Sequence, residues 1–420
     1  MTKLRILLLA GALVLAPAMS QAVNIPLPVE GATMNFTTTV QAQALFQANA
    51  TPNGDGWSTD VFARRTRISL GGNVNSNFGY YFQVDNANFG KYGNFTGRMV
   101  VQDAFFNWAP MGSTGDTVIF IDAGIIYAPF ARLELTTIGS GLTVEGHPDT
   151  FRGFSGTFYT ANRSTGIDVR GWAMHKKLGF RFAVVEGSTP NAADPGINPN
   201  RNPGLGGLVN IDFLASEEGS FLYQSIYFAK EPILSLAIGG YYQSKALKVA
   251  KGYTDQKALS ATLFLDYPMS EANELIFILA GYRFGNGSGS KDTGIAASVD
   301  LGYRMGFLKP YVGWEIFTSD DCPSDITIPA QCSGVHTADS RNFKVGLDLF
   351  INKTQNHVML EFGINHGQST WGPQSYTVAN AGYIPLSLDP LTPGQPRRAM
   401  STSLTAPAQQ SLLLHWNIYF

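Results

Sequence analysis

The sequence predicts an all-β protein: a transmembrane antiparallel β-barrel of about 16 strands with an inward-folded constriction loop. Three observations carry this. The chain closes on Ser411 to Phe420, where Leu412, Leu414, Trp416, Ile418 and Phe420 alternate with Ser411, Leu413, His415, Asn417 and Tyr419, close to the two-residue period of a lipid-facing strand. Charged residues make up only 14% of the chain, alongside 12% aromatics and 45 glycines, where soluble domains carry about 25% charge. At the other end Lys3 and Arg5 precede an apolar run from Ile6 to Ala16, and Ser20-Gln21-Ala22 follows, the pattern of an export signal cut after Ala22. That run is too short to span a bilayer as a helix, and no later stretch approaches the roughly 18 apolar residues that a membrane helix needs. Any crossing of a membrane therefore falls to strands, and the expected organisation is a signal peptide over 1–22 and one barrel domain over 23–420.

In chain order, strand-like alternation runs over 34–48, 60–72, 77–86, 97–109, 117–128, 164–174, 178–187, 206–213, 232–244, 256–267, 273–284, 294–305, 308–318, 340–351, 355–368 and 409–420. An even number suits a bacterial single-chain barrel. The apolar piece from Phe221 to Phe228 would be one strand too many and reads as a periplasmic excursion. If the first strand runs outward, the outer connections are 49–59, 87–96, 129–163, 188–205, 245–255, 285–293, 319–339 and 369–408. The inward turns, such as Gly72 to Ser76, Pro268 to Glu271 and Asn352 to Thr354, are mostly short, the length asymmetry of outer-membrane barrels.

Alternation also assigns faces. Ala297, Val299, Leu301 and Tyr303 alternate with Ser298, Asp300, Gly302 and Arg304, and Phe343, Val345, Leu347 and Leu349 alternate with Asn342, Lys344, Gly346 and Asp348. An arginine facing lipid at mid-bilayer costs roughly 2–4 kcal/mol, so the charged set lines a polar lumen. Tyr242, Tyr303 and Trp416 suit interfacial girdles. The densest basic cluster is Arg64-Arg65-Thr66-Arg67. Parity turns Arg65 and Arg67 inward with Ser69, Ile68 and Leu70 toward lipid, and Arg64 to the lipid side. Inward arginines either attract anions through their planar fork or form a cross-lumen ladder with Asp85, Asp103 and Asp122 that stiffens the wall. Asp168, Arg170, Arg181, Asp212, Asp266, Arg283, Glu315 and Glu361 extend the inward set with mixed signs, which argues against strong anion selectivity.

The connection 129–163 carries Arg132, Glu134, Glu145, His147, Asp149 and Arg152. It is long enough to fold inward and narrow a lumen that is wide at about 16 strands; the alternative is an external flap. Cys322 and Cys332 are the only cysteines, and an oxidising compartment favours a loop disulfide that contributes on the order of 2–3 kcal/mol. No Cys-x-x-Cys spacing points to a metal, and no cofactor motif is present. The six histidines, His147, His175, His336, His357, His366 and His415, lie far apart with no nucleophile motif beside them, so the chain does not read as an enzyme. Residues 1–22 hold two of the 29 basic residues and none of the 31 acidic ones; the remainder is mildly acidic and offers no polybasic surface for nucleic acid.

The stretches Arg64–Gly72, Gln102–Phe105, Gly124–Phe130, Ile233–Gln243 and Leu308–Glu315 resemble, in their order along the chain, the phosphate-selective porin O/P family. The resemblance implies a trimeric outer-membrane barrel. It also implies an anion site, for which Arg64, Arg65 and Asp103 match, while Ile125, Ile126 and Tyr127 stand where a polar or basic pattern is expected. The leading expectation is a water-filled outer-membrane porin for passive diffusion of small hydrophilic solutes and ions, with an anion- or phosphate-selective channel as the variant. A barrel that holds a partner protein, or a surface adhesin using 369–408, is the competing class.

Overall fold

A barrel has to satisfy every backbone N–H and C=O within itself, and it does so only by closing, because a free strand edge in lipid leaves unpaired polar groups. The computed structural model describes residues 23–29, 31–48, 57–93, 95, 97, 99–144, 163–188, 198–217, 221–249, 252–287, 293–320, 339–367 and 409–419. The short strand β1 (Val23–Pro26) precedes sixteen barrel strands. These are β2 (Thr33–Ala48), β3 (Trp57–Asn73), β4 (Phe78–Phe89), β5 (Val100–Trp108), β6 (Val118–Tyr127), β7 (Arg163–Ala173), β8 (Leu178–Val185) and β9 (Gly204–Asp212). The second half is β10 (Ile233–Val249), β11 (Gly252–Pro268), β12 (Asn273–Gly285), β13 (Gly294–Met305), β14 (Leu308–Ser319), β15 (Ser340–Asn352), β16 (Asn356–Gly367) and β17 (Gln409–Tyr419). Each barrel strand pairs antiparallel with its chain neighbours, and β17 closes on β2 with Leu412 opposite Phe46 and Trp416 opposite Ala42. β1 pairs with the start of β2, Ile25 opposite Met34.

The outer face is apolar, with Phe106 at 70% exposure, Leu259 at 65%, Leu279 at 47% and Leu301 at 43%. The inner face buries Asp300, Arg304, Lys344 and Asp348 on the alternate positions of the same strands. Leu279 lies at the middle of β12, so Leu279→Arg is expected to cost roughly 2–4 kcal/mol. A urea titration of the protein folded into vesicles, read by heat-dependent gel migration, measures it; an unchanged midpoint would remove Leu279 from the lipid face.

Two β-bulges refine the alternation. Across β2 and β3, Gln41 faces Arg65 while Ala42 faces Ala63, so Arg64 is the extra residue on that side, whereas the register with β4 runs on unbroken from Ala63 opposite Phe89 to Arg65 opposite Ala87. An extra residue in one strand advances the pleat by one position, so Arg64 and Arg65 both turn inward, buried at 4% and 5% exposure. The lipid-side position that strict parity gives Arg64 is thus overturned. A second bulge, at Gln102 between β4 and β5, buries Gln102 and Asp103 side by side. Arg283 departs from expectation in the opposite sense. Beyond Glu274, the inner positions of β12 are apolar or aromatic: Ile276, Ile278, Ala280, Tyr282 and Phe284. Arg283 therefore points outward and its Nη1 donates to Asp320 at 2.8 Å.

The core of this molecule lies inside the barrel. One buried cluster joins Phe105, Ile126, Phe130, Tyr241, Tyr282, Phe284 and Phe317; a second joins Leu142, Val144, Ile226, Phe264, Ile278, Tyr311 and Phe350. Both draw residues from two connections, 128–144 after β6 and 213–232 after β9. Phe221 to Phe228 forms no strand, as expected, but it is not an excursion away from the barrel: it turns back into the lumen. The neighbouring turns stay tight, as at Gly306-Phe307, where Gly306 takes φ +60° to join β13 to β14, the positive φ that two-residue hairpins require.

Candidate functional site

The lumen wall is built of ion pairs and hydrogen bonds between strands that are adjacent or one apart. Arg67 lies opposite Asp85 and its Nε donates to Asp85 Oδ2 at 3.1 Å. Arg65 Nη1 donates to Gln41 Oε1 at 2.8 Å, and Arg64 Nη1 to Asn88 Oδ1 at 3.3 Å. Asp103 is gripped by Arg163, whose Nε donates at 3.0 Å and Nη2 at 3.3 Å. Arg163 also donates to the Tyr127 hydroxyl and stacks on that ring at 3.8 Å. Asp122 accepts from Arg170 Nε at 2.6 Å, and Asp168 lies 3.3 Å from Arg181 Nε. The expected cross-lumen ladder from Arg64, Arg65 and Arg67 to all three aspartates is corrected: Asp85 pairs with Arg67 of β3, whereas Asp103 and Asp122 hold arginines of β7. Asp122 meets Arg170 from the adjacent strand, and Asp103 of β5 meets Arg163 of β7 across β6, so each acid is held from its own side of the wall.

The connection after β6 enters the lumen over its described part, 128–144. Pro129 passes over Gly206 and the Phe130 carbonyl rests on Gly239, accepting from the Ser260 hydroxyl. Further on, Leu142 lies on Gly302 and Thr143 on Gly313, and the Val144 N–H donates to Glu361 Oε2 at 2.9 Å. Small residues on the wall leave the depth that this segment fills. Arg132, fully buried, donates through Nε to both Glu217 oxygens at 3.2 Å and through Nη2 to the Gln224 carbonyl at 2.7 Å, and stacks on Phe264 at 3.8 Å. Burial opposes its charge, but Glu217 and then Tyr227 outweigh burial and hold the guanidinium above its ordinary value. Glu134 is buried on the same segment. Glu145, His147, Asp149, Arg152, the Cys322–Cys332 pair and 369–408 lie outside the described residues.

The connection after β9 meets this segment from the opposite mouth. Thr136 and Tyr223 form a parallel bridge: the Thr137 N–H donates to the Tyr223 carbonyl and the Tyr223 N–H to the Leu135 carbonyl, each at 2.8 Å. Phe221 stacks on Phe105 with ring centres 4.9 Å apart, between the guanidiniums of Arg170 at 5.0 Å and Arg181 at 4.9 Å. Wall carboxylates hold the rest through main-chain N–H groups, Asp266 from Tyr227 at 2.8 Å and Glu274 from Ala229 at 3.0 Å. Between this segment and β7–β9 lies a small recess of about 50 Å³, lined by Arg170, Lys176, Arg181, Asn210, Asp212 and Tyr223 among others.

Of the inward set expected from parity, Asp168, Arg170, Arg181, Asp212, Asp266, Glu315 and Glu361 are buried on the inner face. The sequence does not single out Glu217, and it marks Phe221 and Tyr223 only as part of the apolar piece Phe221 to Phe228. Two signals mark them: a connection of 213–232 at the end where other turns are short, and the aromatic run Phe221 to Phe228 within it.

The barrel is similar to the anion-selective porin from Comamonas acidovorans (TM-score 0.54, 13% identity, covering 93% of this chain and 100% of that one). It is also similar to Salmonella typhi OmpF in complex with daunomycin (0.57, 12%, 95% and 100%) and to the outer membrane channel DcaP of Acinetobacter baumannii (0.51, 10%, 93% and 98%). No family model matches the chain, and no curated protein matches it. Likeness at these identities establishes the fold: a closed, sixteen-stranded antiparallel barrel of the bacterial outer-membrane porin type. The apolar belt places it in that membrane.

Proposed function

We propose that this barrel is an outer-membrane porin through which small hydrophilic solutes and ions diffuse passively, in a lumen narrowed by 128–144 and 213–232. The observation that carries the reading is a lipid-facing exterior around an inner wall dense in charge. Arg64, Arg65, Asp85, Asp103, Asp122, Asp168 and Arg170 line one side, and Asp300, Glu315, Lys344 and Glu361 the other. These charges are buried, at a cost of several kcal/mol that ion pairs and hydrogen bonds offset, and a polar wall inside an apolar exterior is what an aqueous path requires. Neighbours named as porins and channels support the same reading. Residues 1–22 as an export signal and assembly as a homotrimer belong to the proposal, the second resting on the porin O/P resemblance.

Buried carboxylates on the described inner face outnumber buried cations, and Arg67 is engaged by Asp85, which supports weak ion preference over a dedicated phosphate site. Single-channel recording of the mature protein in a planar bilayer under a KCl gradient, then with phosphate, tests this. Ohmic steps with a reversal potential near zero are the expected result; steps blocked by phosphate would restore the narrower phosphate reading, and silence would favour a barrel that holds a partner. Arg65→Ala is expected to move the reversal potential toward cation preference. An unmoved potential removes Arg65 from the path.

A further inference from the structure

We propose that the described parts of the connection after β9, residues 213–217 and 221–232, are a second constriction, entering the lumen from the short-turn mouth, and that the Arg132–Glu217 pair is the bond that sets how far the two inward segments close the path. This rests on the channel reading above. Nothing in the wall requires the excursion: β9 and β10 are hydrogen-bonded neighbours with Asp212 next to Ser235, so a turn of a few residues would join them. The chain instead makes a closed neck, with the Phe213 N–H donating to the Leu234 carbonyl at 2.8 Å and the Ala215 N–H to the Pro232 carbonyl at 2.9 Å. Beyond the neck it carries residues into the barrel. Short turns of outer-membrane barrels face the periplasm, so this segment and 128–144 approach each other from opposite compartments.

They meet at three levels. The main chains pair at Thr136 and Tyr223, the Ser225 N–H donates to Ser140 Oγ at 3.2 Å, and Arg132 holds Glu217. The third contact differs from the others because it is charged and fully enclosed. Glu217 also accepts from the Tyr227 hydroxyl at 2.8 Å and from the Ser235 hydroxyl of β10. A single carboxylate thus ties the first segment, the second segment and the wall. Around it the second segment reaches opposite walls, Phe221 against Phe105 of β5 and Phe228 against Phe350 of β15. A segment that touches β5 and β15 spans the lumen and does not merely line it.

Single-channel recording on the full chain decides this with two variants beside the wild type. One combines Arg132→Ala with Glu217→Ala, so that no lone charge stays buried. The other replaces 216–231 by Asn-Gly, which the closed neck permits without moving β9 or β10. Retention of the barrel is read by heat-dependent gel migration. Both variants are expected to conduct at least twofold more than wild type. A rise in the excision variant alone keeps the second constriction and overturns the role of the ion pair. No rise in either, with steps still present, overturns the inference and leaves the channel reading standing. Silence from all three folded proteins overturns both.

Discussion

Arg132→Ala alone is expected to loosen the packing of the two inward segments by on the order of 3–5 kcal/mol, the cost of leaving one partner of a buried ion pair without the other, while the sixteen strands stay paired. Arg132 is fully buried and its loss strands Glu217, which retains the hydroxyls of Tyr227 and Ser235 and nothing of opposite charge in the contacts described above. Neither hydroxyl replaces a cation. Tyr227, whose phenol burial and then Glu217 push well above the ordinary value, stays a neutral donor through the alkaline range. The stacking of the guanidinium on Phe264 and Tyr223, at 3.8 and 5.2 Å, is lost as well. Arg132→Lys keeps the charge but cannot reach two oxygens, a carbonyl and two rings with one planar fork, so it is expected to fall between wild type and alanine. Limited proteolysis of the folded protein reads the effect as new cleavage within 213–232. Equal resistance in wild type and Arg132→Ala would falsify the assignment of Arg132 as the tie.

That result concerns the part of the molecule that alternation does not describe. The sixteen strands were legible because lipid on one face and charge on the other impose a period of two, and Asp300 beside Leu301 or Lys344 beside Val345 records both environments in adjacent letters. The period fails at three kinds of place, each for a physical reason. At Arg64 a bulge adds one residue, and a bulge leaves no mark in a parity count. Along β12 the run Leu275 to Ala280 is apolar on both faces, because its inner face meets Phe130 and the inward segments and not solvent; Arg283, beyond that run, stands on the outer face and not on the inner one that parity suggests. In 213–232 the aromatic run has no period, because its partners come from β5, β6, β11 and β15 and from 128–144. An unbroken apolar run inside an otherwise alternating barrel is the trace that a packed lumen leaves in the sequence.

The arginine cluster shows the same limit for the site. Composition and parity found Arg65, Arg67, Asp85, Asp103 and Asp122, and all are on the inner wall. Which acid meets which base depends on strand register: Asp103 of β5 precedes Ala104, which lies opposite Ile125 of β6, and Arg163 at the start of β7 lies opposite Tyr127 at the end of β6, so Arg163 reaches Asp103 over Tyr127. The consequence is functional. An arginine engaged by a wall carboxylate contributes shape and a local dipole to the path more than net charge, so the basic cluster does not by itself make the lumen a cation trap or an anion trap.

Gly239→Leu is expected to unseat 128–144, and Gly239→Ala to do so in part. A β-carbon on Gly239 would stand 2.3 Å from the Phe130 carbonyl oxygen and 2.7 Å from that of Gly207. Both are backbone atoms, so no rotamer change relieves the contact. The Phe130 carbonyl is held in place by the Ser260 hydroxyl, and its ring by Tyr282 across a 6.5 Å edge contact, so the segment yields as a unit or the β9–β10 pairing distorts. Overpacking of this kind costs about 1–3 kcal/mol for a small addition and more for a branched side chain. Gly281, two strands away on β12, is the matched control: a β-carbon there meets nothing within 4 Å, because the position faces outward. Gly281→Ala is therefore expected to leave the urea midpoint and the conductance unchanged, while Gly239→Ala lowers the first and raises the second. The same shift in both variants would mean that the segment does not depend on the Gly239 seat, and that the inner-wall glycines are there for strand curvature and not to receive the chain that narrows the lumen.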